Sequence, residues 1–141
     1  MDKKKVLFIC VHNSARSQMA EAFLKQMAGD SFDVESAGLE PGILNPIVVE
    51  VMEEEGIDIS QNKTKSVLDF YKQGKQYDFV ITLCDESQSG KCPVFPGGGQ
   101  KLHWGFDDPA GFKGSPEERL VKTREVRDQI RRTISEWIKE K

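Results

Sequence analysis

The chain has 141 residues, a moderate apolar content and a formal net charge of -3. This length favours a single domain over residues 1–141, and the acidic balance argues against a nucleic-acid-binding protein, which usually carries a basic face. No apolar run is long enough to span a bilayer, and the lysines at 3–5 lead into a strand rather than a signal-peptide core. We therefore expect a cytoplasmic protein, in which cysteines are more often catalytic, redox-active or metal-binding than structural.

Apolar periodicity predicts strands that alternate with helices. In chain order the pattern predicts a strand at 4–9, a helix at 15–28, a strand at 32–36, helices at 46–55 and 64–73, a strand at 77–83, a mobile loop rich in Gly, Ser and Pro at 84–100, a short strand at 101–104 and an amphipathic helix at 115–140. Asn45 and Ser115 are good N-cap residues, each followed by a proline. This order predicts an α/β fold, a three-layer α/β/α sandwich with a central four-stranded parallel sheet.

The first strand runs directly into Cys10, and a helical pattern starts a few residues later. The intervening loop can turn its backbone N–H groups toward one point, at which the helix also directs its positive end. Arg16 adds a planar guanidinium that suits a tetrahedral oxyanion, and Ser17 can hydrogen-bond the Cys10 sulfur. We therefore predict a nucleophilic cysteine in an oxyanion site, rather than a buried cysteine followed by an exposed arginine. The predicted oxyanion-binding residues are Val11, His12, Asn13, Ser14, Ala15 and Arg16.

Two further cysteines, Cys84 and Cys92, have seven residues between them. Cys84 ends an apolar strand as Cys10 does, so both should lie on the same rim of a parallel sheet. The spacing disfavours a zinc site, for which only His12 and His103 remain as further ligands. Two ordinary cysteines, one buried and one on a loop, are a second interpretation. We favour a third, a redox relay in which Cys84 attacks a product on Cys10 and Cys92 then attacks Cys84.

A nucleophile that displaces an oxygen atom from an oxyanion needs an acid to protonate that oxygen. We expect this acid close to Pro109. Asp107 and Asp108 are the candidates, because paired carboxylates beside an anion site suit a general acid. Pro109 restricts its predecessor to extended backbone, which favours Asp108 as the acid and leaves Asp107 as a solvated or capping neighbour. An ordinary Asp-rich turn is the simpler interpretation. His103 and Trp104 are predicted to be packing residues.

Residues 10–17, followed by Gln18, Met19, Ala20 and Glu21, resemble the anion loop of the low-molecular-weight protein tyrosine phosphatase fold. Other segments are similar, more specifically, to the thioredoxin-coupled arsenate reductases built on that fold: 36–38, 45–46, 56–60, 80–84, 92–93 and 103–109. The resemblance covers nearly the whole chain. Cys84, Cys92 and the segment 104–109 favour a reductase over a phosphatase. The tyrosines that usually follow the Asp-Pro pair of such phosphatases are also absent, since Ala110, Gly111 and Phe112 follow Pro109 here.

The resemblance implies that the chain reduces arsenate to arsenite. The Cys10 thiolate attacks arsenate held by the loop and Arg16, while Asp108 protonates the leaving oxygen. Cys84 then attacks Cys10 and expels arsenite. Cys92 attacks Cys84, and thioredoxin reduces the resulting disulfide. Thioredoxin is thus the implied reductant and partner, no tightly bound cofactor is implied, and the chain is expected to be a monomer.

Two other functions stay open from the sequence. The first is a low-molecular-weight protein tyrosine phosphatase that hydrolyses phosphate monoesters through a phosphocysteine intermediate. The second is a non-catalytic oxyanion sensor or redox-regulated binding module. Two departures from the reductase pattern leave its chemistry intact: Ala15 stands where many relatives have a cysteine, and the segment between the last two cysteines is one residue longer than is frequent.

A third departure concerns potassium, which some relatives bind through an Asn, a Glu, a Ser and an Asp near the loop. Asn13, Glu21 and Ser36 match the first three. The fourth position falls around Lys65 or Ser66, where there is no Asp. The resemblance therefore implies only a weak, incomplete potassium site in this chain.

Overall fold

A computed structural model describes residues 3–84 and 99–141. Within these ranges four strands form one parallel sheet, in the order β2-β1-β3-β4. The strands are β1 (Lys4–Cys10), β2 (Phe32–Gly38), β3 (Phe79–Thr82) and β4 (Gln100–His103). The helices are α1 (Arg16–Ala28), α2 (Pro46–Glu53), α3 (Val67–Lys72) and α4 (Pro116–Lys139), with a short 3-10 helix at Pro109–Gly111. The predicted α/β fold with a four-stranded parallel sheet is confirmed.

Both faces of the sheet are covered, as the continuous apolar run of β1 requires. Val6 and Phe8 point to one face and pack in the main core with residues of α1, α2 and α4. Leu7 and Ile9, which alternate with them, point to the other face and pack with residues of α3. The sheet with helices on both faces is the predicted three-layer sandwich.

The two predicted N-cap residues, Asn45 and Ser115, each cap the start of a helix. Asn45 Oδ1 accepts a hydrogen bond from the N–H of Ile47 at 2.9 Å, and α2 starts there. Ser115 Oγ accepts from the N–H of Glu118 at 3.1 Å, and α4 starts there. The third helix is shorter than predicted, because Ser66 caps it and fixes its first residue at Val67.

Other predicted details are wrong. Gln100 belongs to β4 rather than to the predicted loop, because its N–H donates to the Asp78 carbonyl at 2.8 Å. Val121, an apolar residue of the predicted amphipathic helix at 115–140, does not lie on the buried face of α4: it is half exposed, because it lies about 140° around the helix from the buried Val126. The rest of the predicted mobile loop, residues 85–98, lies outside the described residues.

Among the described residues, no helix combines the length and the apolar character needed to cross a bilayer.

Candidate active site

The candidate site begins where β1 ends, at Cys10. Five residues separate Cys10 from Arg16, the first residue of α1. Since β1 lies between β2 and β3, this loop sits in the middle of the carboxyl edge of the sheet, where parallel sheets bind ligands. Cys10 is buried and carries a free thiol. Residues 10–17 form the anion loop.

The curvature of the anion loop depends on Asn13, whose φ of 54° lies in the left-handed region. Its Nδ2 donates to Ser17 Oγ at 2.7 Å and to Ser36 Oγ at 3.0 Å. Its Oδ1 accepts from the backbone N–H of Lys65 at 2.9 Å and from Gln18 Nε2 at 3.1 Å. These four bonds satisfy the buried amide completely, so its side chain holds the loop in shape, a role that the sequence analysis missed.

The carbonyl groups of the anion loop point outward. The outward bonds run from Glu40 N to Val11 O at 2.8 Å, from Gly42 N to His12 O at 3.0 Å, from Asn45 N to Ser14 O at 3.0 Å and from Gln18 Nε2 to Asn13 O at 3.1 Å. In a trans peptide the N–H points opposite to the C=O, so the N–H groups of residues 12–15 turn inward. Within residues 3–84 and 99–141, no protein acceptor takes those four N–H groups. This is the geometry of an anion cradle.

Gly38, the last residue of β2, lets this loop approach the sheet. A Cβ atom on Gly38 would lie 2.7 Å from the backbone N of Asn13 and 2.8 Å from the backbone O of Val11. Both are backbone atoms of the cradle, which cannot move aside as a flexible side chain would. Only glycine fits at this position without displacing the cradle.

Ser17 connects the loop scaffold to the thiol. Its Oγ lies 2.8 Å from the Cys10 Sγ, and both side chains are buried. Because Ser17 Oγ accepts a hydrogen bond from Asn13, its own hydroxyl proton is available to the sulfur. A donor at this place stabilises the negative charge of a thiolate, the nucleophilic form of cysteine.

Arg16 is only 1% exposed, so the alternative of an exposed arginine is wrong. Its Nη1 donates to the Phe106 carbonyl at 3.1 Å and to the Leu83 carbonyl at 3.3 Å. Its Nη2 lies 3.3 Å from Asp108 Oδ2. Its Nε is buried and has no partner among the described residues, so it remains available to an oxyanion.

The structure distinguishes the two candidate acids. Asp108 lies against Arg16, whereas Asp107 is exposed. Asp108 Oδ1 also accepts from the N–H of Ala110 at 3.0 Å and so caps the 3-10 helix at Pro109–Gly111, which the sequence analysis missed. This cap fixes the second carboxylate oxygen beside the anion site.

The two histidines do not contribute their rings to the cradle. His12 Nδ1 lies 2.9 Å from the Glu40 carbonyl, so the ring contacts the neighbouring segment. His103 is exposed and its Nδ1 lies 2.7 Å from Thr82 Oγ1, so the prediction that it is a packing residue is wrong. Trp104, in contrast, packs against the main core as predicted.

Cys84 follows β3 on the same edge of the sheet. The register pairs Ile9 with Thr82, and the Leu83 N–H donates to the Ile9 carbonyl at 2.8 Å. Cys10 and Cys84 are therefore carried to one rim by adjacent strands. Cys84 is buried and disulfide-bonded. Cys92 lies outside the described residues.

A buried carboxylate, Glu21, lies behind the anion loop. Its Oε1 accepts from Lys65 Nζ at 3.0 Å and from Ser36 Oγ at 2.5 Å, and its Oε2 accepts from Lys25 Nζ at 2.6 Å. Burial raises the pKa of Glu21, but the charge of Lys65 and the hydrogen bonds of Lys25 and Ser36 outweigh it and leave this pKa below its usual value. Among the described residues no group of three or more His, Cys, Asp and Glu is placed to hold a metal ion.

Comparison with known proteins identifies the family. A family model described as low molecular weight phosphotyrosine protein phosphatase matches residues 5–141. The arsenate reductase of Bacillus subtilis is 44% identical over 137 residues, which are 97% of this chain and 96% of that protein. A solved arsenate reductase in an oxidized state matches with a TM-score of 0.79 and 33% identity, over 97% of this chain and 98% of that chain. Another, in a phosphate binding state, matches over the same shares with a TM-score of 0.73 and 31% identity. The chain belongs to the low molecular weight phosphotyrosine protein phosphatase family and is similar over nearly its whole length to arsenate reductases.

Proposed function

We propose that this chain reduces arsenate to arsenite and is regenerated by thioredoxin through a relay of Cys10, Cys84 and Cys92. The observation that carries the proposal is the 3.3 Å hydrogen bond from Arg16 to the carbonyl of Leu83, the residue before Cys84. It ties the segment bearing the second cysteine to the guanidinium of the anion site. The similarity to arsenate reductases, one of them solved in a phosphate binding state, supports the choice of a tetrahedral oxyanion as substrate.

The first step uses the cradle. The inward N–H groups and Arg16 hold arsenate against the Cys10 Sγ, and Ser17 stabilises the thiolate. A sulfur–arsenic bond forms as one arsenic–oxygen bond breaks. Asp108 supplies a proton to the departing oxygen, which leaves as water. The outcome is an arsenic(V) adduct on Cys10.

The second step uses the neighbouring cysteine. The Cys84 thiolate attacks the Cys10 sulfur, and the electron pair of the sulfur–arsenic bond passes to arsenic. Arsenic(V) becomes arsenic(III) and leaves as arsenite, while a disulfide joins Cys10 to Cys84. Cys92 then attacks Cys84, frees the Cys10 thiolate and leaves a new disulfide, to which thioredoxin returns two electrons. The free thiol of Cys10 beside a disulfide-bonded Cys84 is the arrangement expected at the end of this relay.

Hydrolysis of phosphate monoesters is a second candidate. The match to the phosphatase family and the placement of Asp108 against Arg16 favour it, because the same cradle and acid suit a phosphocysteine intermediate. Such a reaction gives no role to Cys84. The two functions therefore differ in whether turnover needs the second cysteine.

The Cys84→Ser variant separates these candidates. We expect the unchanged protein to consume NADPH in the presence of arsenate, thioredoxin and thioredoxin reductase. We expect the variant to lose this turnover but to keep any hydrolysis of an aryl phosphate, because the cradle is unaltered. NADPH consumption by Cys84→Ser at the original rate would contradict the relay. Brisk ester hydrolysis with no NADPH consumption by the unchanged protein would instead favour the phosphatase.

A further inference from the structure

The set of residues that resembles a potassium site does not fit a resident potassium ion in this chain. Potassium requires converging oxygen atoms. Asn13 turns its Nδ2 toward Ser36, and its Oδ1 already accepts from Gln18 and from the backbone N–H of Lys65, so Glu21 is left as the anionic ligand for a cation. The ammonium of Lys65 itself lies 3.0 Å from Glu21 Oε1. A cation that belongs to the chain thus already lies on the carboxylate.

We propose that Lys65 is a tethered cation that replaces an exchangeable ion behind the anion loop and acts as a positioning residue for Cys10. The proposal deepens the proposed function and rests on it only in naming the reaction that Cys10 performs. With Lys65 in this place, the reactivity of Cys10 does not depend on potassium.

Lys65 balances the charge of the buried Glu21 carboxylate. A buried carboxylate requires compensation, and both of its oxygens are acceptors only. Lys65 contacts Oε1, the oxygen that also accepts the Ser36 hydroxyl. Lys65 therefore maintains the charge that orients the Ser36 proton toward Glu21.

The orientation of the Ser36 proton fixes the direction of the hydrogen bonds between Ser36 and Cys10. With its proton committed to Glu21, Ser36 Oγ accepts from Asn13 Nδ2 at 3.0 Å. The other hydrogen of that amide goes to Ser17 Oγ at 2.7 Å, so the Ser17 proton is available to the Cys10 Sγ at 2.8 Å. Each hydrogen atom in this series has one acceptor, and the series runs from the carboxylate to the thiol. Loss of charge compensation at Glu21 therefore alters the hydrogen bond that Cys10 receives from Ser17.

Lys25 provides a matched control. It also bonds Glu21, at 2.6 Å, but to Oε2, which does not accept from Ser36. The Lys25 side chain is 54% exposed, against 32% for Lys65, and it lies one turn along the same helix as Glu21. Because water and salt screen the more exposed ammonium of Lys25, we expect its pair with Glu21 to be the weaker of the two. The two lysines thus differ in the oxygen they contact and in their burial.

The side chain of Lys65 can be altered without removing its backbone contacts. Its N–H donates to Asn13 Oδ1 at 2.9 Å, and its carbonyl accepts from the Gly38 N–H at 2.9 Å. Lys65→Met keeps both bonds and much of the apolar stem. The substitution therefore tests the ammonium group alone.

The experiment measures alkylation of Cys10 by iodoacetamide and thermal unfolding, in sodium and in potassium buffers of equal ionic strength. All proteins carry Cys84→Ser and Cys92→Ser, so that Cys10 alone reacts. With Lys65 present, we expect the same alkylation rate and melting temperature in both salts. Lys65→Met should react about 10-fold more slowly in sodium, because Ser17 would then stabilise the Cys10 thiolate less well, and potassium at the vacated Glu21 Oε1 should restore the rate. Lys25→Met should stay within about twofold of its parent in both salts, because Lys25 is more exposed and contacts the Glu21 oxygen that does not accept from Ser36.

Three results would overturn the proposal. If the parent protein, with Lys65 present, reacts faster or has a higher melting temperature in potassium than in sodium, it still binds the ion. This result does not depend on whether a Lys65 variant folds. A Lys65→Met rate equal to that of Lys25→Met would deny the special role of Lys65. A slow Lys65→Met rate that potassium does not raise would show that Lys65 does not replace an ion. No arsenate is present, so failure of the proposed reduction would appear only in the NADPH assay.

Discussion

Two networks of polar and charged side chains, one behind the anion loop and one between α2 and α4, use the same kinds of bonds in different surroundings. In the first, Asn13, Ser17 and Ser36 are fully buried, and Glu21 is nearly so. In the second, Glu54 pairs with Arg124 at 2.6 Å and with Arg127 at 2.8 Å, and both Glu54 and Arg124 are partly exposed.

This difference shows that burial, rather than bond length, determines whether the bonds of such a network have fixed directions. A buried donor without its partner has no water to replace it, so every bond direction in the first network is fixed. In the second network, water and salt compete with the pairs. We therefore expect changes in the first network, or in the anion loop that it supports, to alter the chemistry of Cys10, and changes in the second network to alter stability modestly.

Arg16→Lys should give the largest effect. A lysine has one nitrogen and cannot reach the Leu83 and Phe106 carbonyls and Asp108 while also holding an oxyanion. We expect kcat for arsenate turnover to fall by about 10²–10³ or more, the usual cost of losing an oxyanion donor. Arg124→Lys, in the exposed network, is the control and should keep its activity. Equal activities of the two variants would break the comparison.

Gly38→Ala should follow, because its Cβ would lie within 2.8 Å of backbone atoms of the cradle. We expect a loss of unfolding free energy of about 1–3 kcal/mol, typical of overpacking, together with a fall in activity. Urea unfolding and the NADPH assay measure the two effects. Gly111→Ala is the matched control, since a Cβ there meets nothing within 4 Å. If Gly38→Ala had the stability and activity of this control, the close packing of the loop would be refuted.

Arg127→Met tests the more buried member of the second network. Arg127 is 8% exposed and also donates to the Val51 carbonyl at 2.9 Å. Its removal leaves that carbonyl without this donor, which should cost about 1–3 kcal/mol in urea unfolding. Activity per folded molecule should stay unchanged, because the residue lies away from the cradle. A loss of kcat without a loss of stability would contradict the separation of the two networks.

The smallest effect is expected at Glu54. The hydrogen bond from Arg124 outweighs the opposing effect of burial and, with that from Arg127, holds the pKa of Glu54 below its usual value. A lowered pKa in the folded state stabilises the protein above the unfolded-state pKa, near 4.5, and this stabilisation is lost as pH falls through the folded-state pKa. The stability difference between the unchanged protein and Glu54→Gln should therefore be largest at neutral pH. It should shrink in acid and in high salt; a difference that grew in acid would have the wrong sign.

The sequence predicted those parts of the molecule whose signal is local. The apolar run before Cys10, the caps at Asn45 and Ser115 and the succession of strands and helices are all short-range patterns. The anion loop was also predictable, because its strand, loop and helix are contiguous. The short helix after Asp108 was a local feature that was missed, although an Asp before a Pro is a typical N-cap pair.

The rest of the site depends on contacts between distant parts of the chain. Asn13 meets Ser36 and the backbone of Lys65, and Glu21 meets the Lys65 side chain, over separations of 23, 52 and 44 residues. Neither periodicity nor spacing encodes which residue folds against another at such a distance. The sequence therefore identified Glu21 and Ser36 only through a resemblance, and gave no sign that Lys65 would contact the carboxylate.

The most direct test of the account is to trap the disulfide between Cys10 and Cys84. Cys92→Ser should stop the relay there, because no thiol remains to attack Cys84. After one equivalent of arsenate is added to the reduced variant, we expect release of one equivalent of arsenite and a peptide pair linked through Cys10 and Cys84 in non-reducing mass spectrometry. Arsenite release with Cys10 and Cys84 still reduced, or no arsenite and no linked pair, would contradict the proposed reduction.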